Sequence, residues 1–214
     1  MKIQLTKFTH NRLRSASTTI EAGFSLIELS IVLAIFLIAA AIAVPNVPVI
    51  LETIKIRGAA QELSGFYQQA RMRAVQDNSY YEVVATTAPF GAFLDLSGNG
   101  VAAGNPMVQL PGGVSMSNAG VPLGLNQQTL GFTPVLTETS LMFGQDGVQR
   151  PGLAWNSRGL PCQRPGPTSP CQTGIGWLQY LQYQGTGGRV AYAAVSVSPA
   201  SRVKIWTYSG GVWR

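Results

Sequence analysis

One carboxylate sits inside the most apolar stretch of this chain. Across residues 24–44, 18 of 21 residues are apolar, and Glu28 is the one ionisable side chain among them. A helix of that length rises about 1.5 Å per residue and spans roughly 30 Å, the thickness of a bilayer core. A carboxylate in such a helix costs roughly 2.5–3.5 kcal/mol by insertion scales, so its presence calls for a functional reason and a partner. Directly before the run stands Gly23-Phe24-Ser25-Leu26-Ile27. Before that comes a polar, basic segment with Lys2, Lys7, Arg12 and Arg14 against a single acid, Glu21. Positive charge ahead of a first membrane helix holds that end in the cytoplasm and sends the rest across.

Other residues that could do chemistry point away from catalysis. The only histidine is His10, in the basic leader. Serine and cysteine nucleophiles therefore lack the usual general base. No glycine-rich phosphate loop follows a strand and opens a helix. The carboxylates Glu82, Asp95, Glu138 and Asp146 are scattered, with no spacing that suggests a dyad. Neither an enzyme nor a cofactor is expected. Cys162 and Cys171 stand in the part that would lie outside the cytoplasm, where a disulfide is the default. Closing that short ring contributes roughly 2.5–3 kcal/mol in the chain-entropy account. Two cysteines with no histidine nearby make no zinc site. Asp95-Leu96-Ser97-Gly98-Asn99-Gly100 begins like a calcium loop, but Pro106 stands where a bidentate Glu belongs. The competing reading is a hairpin turn around Asn-Gly.

The C-terminal third is one-sidedly basic. From residue 147 to 214 there are seven basic side chains (Arg150, Arg158, Arg164, Arg189, Arg202, Lys204, Arg214) and no acid. Arg189, Arg202, Lys204 and Arg214 interleave with Tyr192, Trp206, Tyr208 and Trp213. Basic groups can hold phosphates and aromatic faces can stack on bases. The plainer reading is a strand with solvated basic groups, and aromatics that pack inside the fold or against other subunits.

The order of basic leader, Gly23, Phe24, apolar run and early Glu28 resembles the class III signal of type IV pilins and type II secretion pseudopilins. The resemblance implies a cut between Gly23 and Phe24 by a prepilin peptidase/N-methyltransferase, with methylation of Phe24. It implies that Glu28 pairs with the N-terminal amine of a neighbouring subunit and sets axial register in a filament. The partners implied are that peptidase, the inner membrane, and other major and minor pilins or pseudopilins. The C-terminal domain would lie in the periplasm and, after assembly, in a pilus or pseudopilus. Two other readings stay open. An ordinary secretory signal would be cut after its apolar run, with Ala41-Ile42-Ala43 as the site. A plain signal anchor would leave Glu28 without a role.

Beyond the run, the chain of 214 residues has length enough for one domain with its own core. Its formal charge of +6 is a weak argument for nucleic acid, since half of it lies in the leader. Pro45 and Pro48 end the purely apolar stretch. Ile56, Ala59, Ala60, Leu63, Phe66, Tyr67, Ala70 and Ala74 then recur on one helical face, with Glu52, Lys55, Glu62, Gln69 and Arg73 mostly off it. The reading is one long, bent helix over residues 24–76. Strands are expected at 80–87, 90–96, 107–110, 131–136, 140–143, 152–155, 175–183, 189–198 and 202–208, with a long loop at 101–128. The fold class is α+β: a long N-terminal membrane-spanning, pilin-like helix packed on a C-terminal antiparallel β-sandwich. The divisions are a leader at 1–23, a transmembrane helix at 24–44, the periplasmic half of the helix at 45–76 and a β-rich domain at 77–214.

This layout is similar to the GspH/FimT branch of the pseudopilins. Trp155-Asn156-Ser157-Arg158-Gly159 and residues 195–204 are similar to its two downstream patches. Some FimT-type pilins bind DNA through a C-terminal Gly-Arg-x-Arg patch, so DNA is a further implied partner. Ser201-Arg202-Val203-Lys204 stands in that place, with Ser for Gly and Lys for the second Arg. Lysine keeps the charge and loses bidentate geometry.

Overall fold

The computed structural model describes residues 24–44, 47–87, 90–122, 124–133, 135–137, 141–185 and 188–214. The chain divides into two compact units with the boundary after Pro45. Gly23, Pro45 and Glu138 lie outside the described residues. The join of the expected long helix lies there too.

The first unit holds one helix, α1, Leu26–Ala43. Ser25 caps it, its hydroxyl oxygen accepting from the Glu28 backbone N–H at 3.2 Å. Leu26, Ile27, Leu29, Leu33, Phe36 and Leu37 are each more than half exposed, and the helix buries no residue. Apolar on every side, it has no face suited to water. Among the described residues it is the one helix long and apolar enough to cross a membrane, with mean hydropathy 2.7.

The second unit is built on α2, Val47–Gln76. Pro48 sits in its first turn, where a missing N–H breaks no helical bond. The eight face residues expected from the spacing are all buried. Glu52 is buried as well, at 7% exposure, against the expectation that it falls off that face. It lies one turn before Ile56, and its carboxyl packs on Gly185, where a β-carbon would meet it. Gly65 lies on the exposed side with nothing within 4 Å of an added β-carbon. Gly65→Ala should therefore raise stability by about 1 kcal/mol, read as a higher melting temperature.

Two sheets contact α2. The first runs β3-β2-β1-β7-β8-β9, with β6 also pairing β7. Its strands are β1 Tyr81–Thr87, β2 Phe90–Asp95, β3 Met107–Gln109, β6 Leu141–Phe143, β7 Gln149–Trp155, β8 Pro161–Gln163 and β9 Gln172–Thr173. The second runs β13-β12-β11-β10-β4, with β5 pairing β10. It comprises β4 Val114–Met116, β5 Val135–Thr137, β10 Gly176–Gln184, β11 Val190–Val197, β12 Val203–Ser209 and β13 Val212–Trp213. All pairs are antiparallel except β5 with β10. One core joins Leu63, Phe66 and Tyr67 of α2 to Leu94, Leu153 and Trp155 of the first sheet and Trp177, Leu181 and Val195 of the second. The coarse fold is therefore a helix on two largely antiparallel sheets.

Several expectations shift. The expected strand at 131–136 begins later, at Val135. Gly131 instead caps a four-residue helix, α3 Gln127–Leu130, at φ 76°, a left-handed conformation that glycine adopts without cost. The expected loop at 101–128 contains β4. Residues 195–197 are all buried, on both faces of their strand. Val195 and Val197 face the main core, while Ser196, 2% exposed, accepts from Trp206 Nε1 at 2.8 Å on the other face. Leu125, Leu178, Tyr180, Ala194 and Trp206 form a second apolar cluster there.

Candidate assembly and binding surfaces

Phe24 and Glu28 stand at the start of α1. Phe24 is 85% exposed, and Glu28 is exposed in the first helical turn. That position has two consequences. The unpaired N–H groups and dipole of a helix start favour a carboxylate. Ser25 and Glu28 also have the S-x-x-E spacing of a capping box. The spacing of this cap is legible in the letters alone.

Cys162 and Cys171 are disulfide-bonded, with Cα atoms 5.5 Å apart. Arg164 holds the loop between them, donating to the carbonyls of Pro167 at 2.8 Å, Ser169 at 3.2 Å and Gly144 at 3.2 Å. One of the seven C-terminal basic residues is therefore committed to structure.

Arg150 is another. It donates to Asp146 Oδ1 at 2.8 Å and to the Asn99 carbonyl at 3.2 Å, and lies 4.0 Å from Glu82. Three of the four carboxylates expected to be scattered, Glu82, Asp95 and Asp146, instead converge around Arg150, while Glu138 lies outside the described residues. Glu82 on β1 stands directly opposite Asp95 on β2. Both are buried, at 2% and 0% exposure. A strand register brought them together, and no local spacing reports a register. Burial first, then the neighbouring Asp95 charge, pushes the Glu82 carboxyl up to about 7. Asp146 is held down at about 2, chiefly by its hydrogen bond from Arg150.

Asp95 is spent on its own loop. Its oxygens accept from the backbone N–H groups of Gly98 at 2.8 Å and Gly100 at 2.6 Å. The loop connects the antiparallel strands β2 and β3. It is a wide connection closed by Asp95, not a two-residue turn. Among the described residues no group of three or more His, Cys, Asp or Glu could hold a metal ion.

The four C-terminal basic residues are exposed, and the sheet separates them. Arg202 and Lys204 lie at the start of β12. The β11–β12 register runs from Val197 opposite Val203 to Ala193 opposite Thr207, so Arg189 lies toward the far end of that hairpin. Arg214 bonds the Thr207 backbone, between the two. Lys204 is committed to Trp206, its ammonium 3.4 Å from the ring centroid. The other aromatics pack on one another. Tyr208 lies 5.4 Å from Trp213 and 6.3 Å from Tyr192 between ring centroids, and Tyr180 lies 5.8 Å from Trp213.

The two downstream patches meet. Ser201, buried and at φ 68°, donates its hydroxyl to the Gly159 carbonyl, tying the 156–159 turn to the 198–202 turn. A glycine would suit that left-handed backbone better, while the serine supplies this bond. Arg71 of α2 donates to the Ser201 carbonyl at 3.4 Å.

Residues 19–44 match the family model of the prokaryotic N-terminal methylation motif. The chain thus carries a prepilin-type methylation motif and a helix of membrane-spanning length, consistent with a processed pilin or pseudopilin subunit. No curated protein and no solved structure matches the chain.

Proposed function

We propose that the chain is a minor pilin or pseudopilin of the GspH/FimT type, a structural subunit rather than an enzyme. The observation that carries this reading is the methylation motif, whose matched residues contain Gly23, Phe24 and Glu28 and run through α1. Prepilin peptidase cuts after Gly23 and methylates Phe24. α1 anchors the chain once in the inner membrane, with the following unit in the periplasm, and then enters a type IV pilus or type II secretion pseudopilus. Residues 1–23 are the leader, 24–44 the membrane helix, 45–76 its periplasmic continuation and 77–214 the β-rich part. The two sheets act as an open sandwich closed along one side by α2, and their exposed surfaces contact other pilins.

In this account the Glu28 carboxylate accepts the charge of a neighbour's Phe24 amine, which offsets its cost in apolar surroundings. Glu28→Ala should leave cleavage intact and reduce incorporation into filaments at least tenfold, measured by immunoblotting of sheared filaments. Ser25→Ala separates the two roles of this turn. It removes the cap and keeps the charge, so its incorporation should fall far less. Equal losses in both variants would assign the effect to helix capping.

A second reading is a DNA-binding minor pilin, favoured by Arg202 and Lys204 side by side at one strand end. The Arg202→Ala/Lys204→Ala double variant should then lose duplex binding that falls steeply with salt. Wild-type protein that fails to shift a duplex at 50 mM salt would leave the assembly reading alone. The protein tested should begin no later than Glu52, because Glu52 and Ile56 belong to the buried face of α2.

A further inference from the structure

The C-terminal half of α2 and the 198–202 turn enclose a cleft of about 560 Å³. Gln68, Arg71, Met72 and Val75 line one wall, and Arg202 and Val203 the other. The wall on α2 carries an open apolar pair among polar neighbours: Met72 is 59% exposed and Val75 49%, three residues apart on one helical face. The opposite face of the same turns is fully buried through Ala70 and Ala74. The floor is built rather than loose. Ser201 is buried, left-handed and bonded to Gly159, where a β-carbon would run into Val75 and Arg71.

Among the described residues no acid pairs the charge in the cleft. Arg71 makes one long bond, to the Ser201 carbonyl, although a guanidinium carries five N–H donors. Arg202 is exposed, and Arg158 stands exposed in the adjoining turn. No described acid lines the cleft. Asp77, just past the helix, is engaged by the Tyr81 hydroxyl at 2.9 Å. The cleft also opens on a strand edge. At Val203–Ile205, β12 has β11 on one side, while β13 pairs only Tyr208 and Ser209 on the other.

We propose that this cleft receives an extended peptide segment of a partner polypeptide that carries a carboxylate beside an apolar side chain. Arg71 and Arg202 hold the carboxylate through charge-assisted, bidentate hydrogen bonds. Met72 and Val75 cover the apolar side chain, and the edge of β12 at Val203–Ile205, which no described strand pairs, pairs the segment's backbone. A nucleic acid fits less well: among the described residues no aromatic lines the cleft to stack a base, and a phosphate backbone would leave Met72 and Val75 in water. The proposal stands on the cleft and does not require the filament reading.

The test uses the full chain in detergent micelles and a fluorescein-labelled peptide, acetyl-(Glu-Leu)4-amide, followed by anisotropy. Acetyl-(Lys-Leu)4-amide, acetyl-(Glu-Ser)4-amide and a 20-base-pair duplex run beside it. The Glu-Leu peptide should bind, and the Lys-Leu and Glu-Ser peptides should bind at least tenfold more weakly. Arg71→Gln/Arg202→Gln and, separately, Met72→Asp should each weaken Glu-Leu binding at least tenfold. Met72 is exposed, so Met72→Asp leaves the fold intact even if loss of the Arg71 bond to Ser201 disturbs the double variant. Unchanged binding by Met72→Asp, or equal binding of the Lys-Leu peptide, would overturn the proposal. A duplex that displaces the Glu-Leu peptide and binds Met72→Asp as well as wild type would make the cleft a nucleic-acid site instead.

Discussion

Gly23→Asp should leave a full-length chain that reaches the membrane and is absent from filaments. The matched motif spans this position, and the resemblance puts the cut after a residue with no side chain. A carboxylate there places a charge and a β-carbon against the bond to be broken. The second loss follows from the first. Without cleavage Phe24 has no free amine, so in the proposed filament a neighbour's Glu28 would have no positive partner. A carboxylate in the apolar setting of α1 then stays uncompensated, at a cost of roughly 2.5–3.5 kcal/mol per subunit, enough to reduce association by about two orders of magnitude. Immunoblotting of membrane and sheared-filament fractions checks both steps. A Gly23→Asp chain that shortens and assembles normally would contradict them together.

Glu82→Gln should stabilise the second unit at pH 8 and flatten its pH dependence. The Glu82 carboxyl rises from its ordinary value of 4.5 to about 7 through burial and the facing Asp95. The folded state therefore holds this proton more tightly than the unfolded chain. The resulting stability is fully present below about pH 4.5 and is lost as pH rises through 7. The whole span corresponds to about 3 kcal/mol. Asp146, held at about 2 by Arg150, acts in the opposite sense. Its contribution is present above its ordinary value of 3.8 and is lost as pH falls through 2. The unit should be most stable near pH 4–5, between the two. Gln keeps the size of Glu82 and carries no charge, so the variant should match wild type near pH 5 and exceed it at pH 8. All four tryptophans lie between residues 155 and 213, so their fluorescence during urea unfolding reports this unit alone. A wild-type protein equally stable at pH 5 and pH 8 would overturn the assignment.

Local signals carried most of what was legible in the sequence. The apolar run marked α1, and the spacing from Ile56 to Ala74 marked the buried face of α2, because both depend on periods a few residues long. The long strands β1, β2, β10, β11 and β12 showed through their β-branched and aromatic content. The short strands β4, β8, β9 and β13 and the four-residue α3 did not, since two to four residues hold no period. On β10, six consecutive buried residues replace the alternation of a half-wet strand, because apolar clusters cover both faces of its sheet. The site was legible only where it is local. Glu28 and its neighbours could be read directly. The meeting of Glu82 with Asp95, the tie from Ser201 to Gly159 and the separation of Arg189 from Arg202 all depend on strand register and chain return.

The most direct test of the account is the N-terminus of the protein after expression with a prepilin peptidase, read by intact mass and N-terminal sequencing. The account predicts a chain that begins at Phe24 with a methylated amine and retains α1. A chain that begins after Ala43, or an uncut chain starting at Met1, would contradict it.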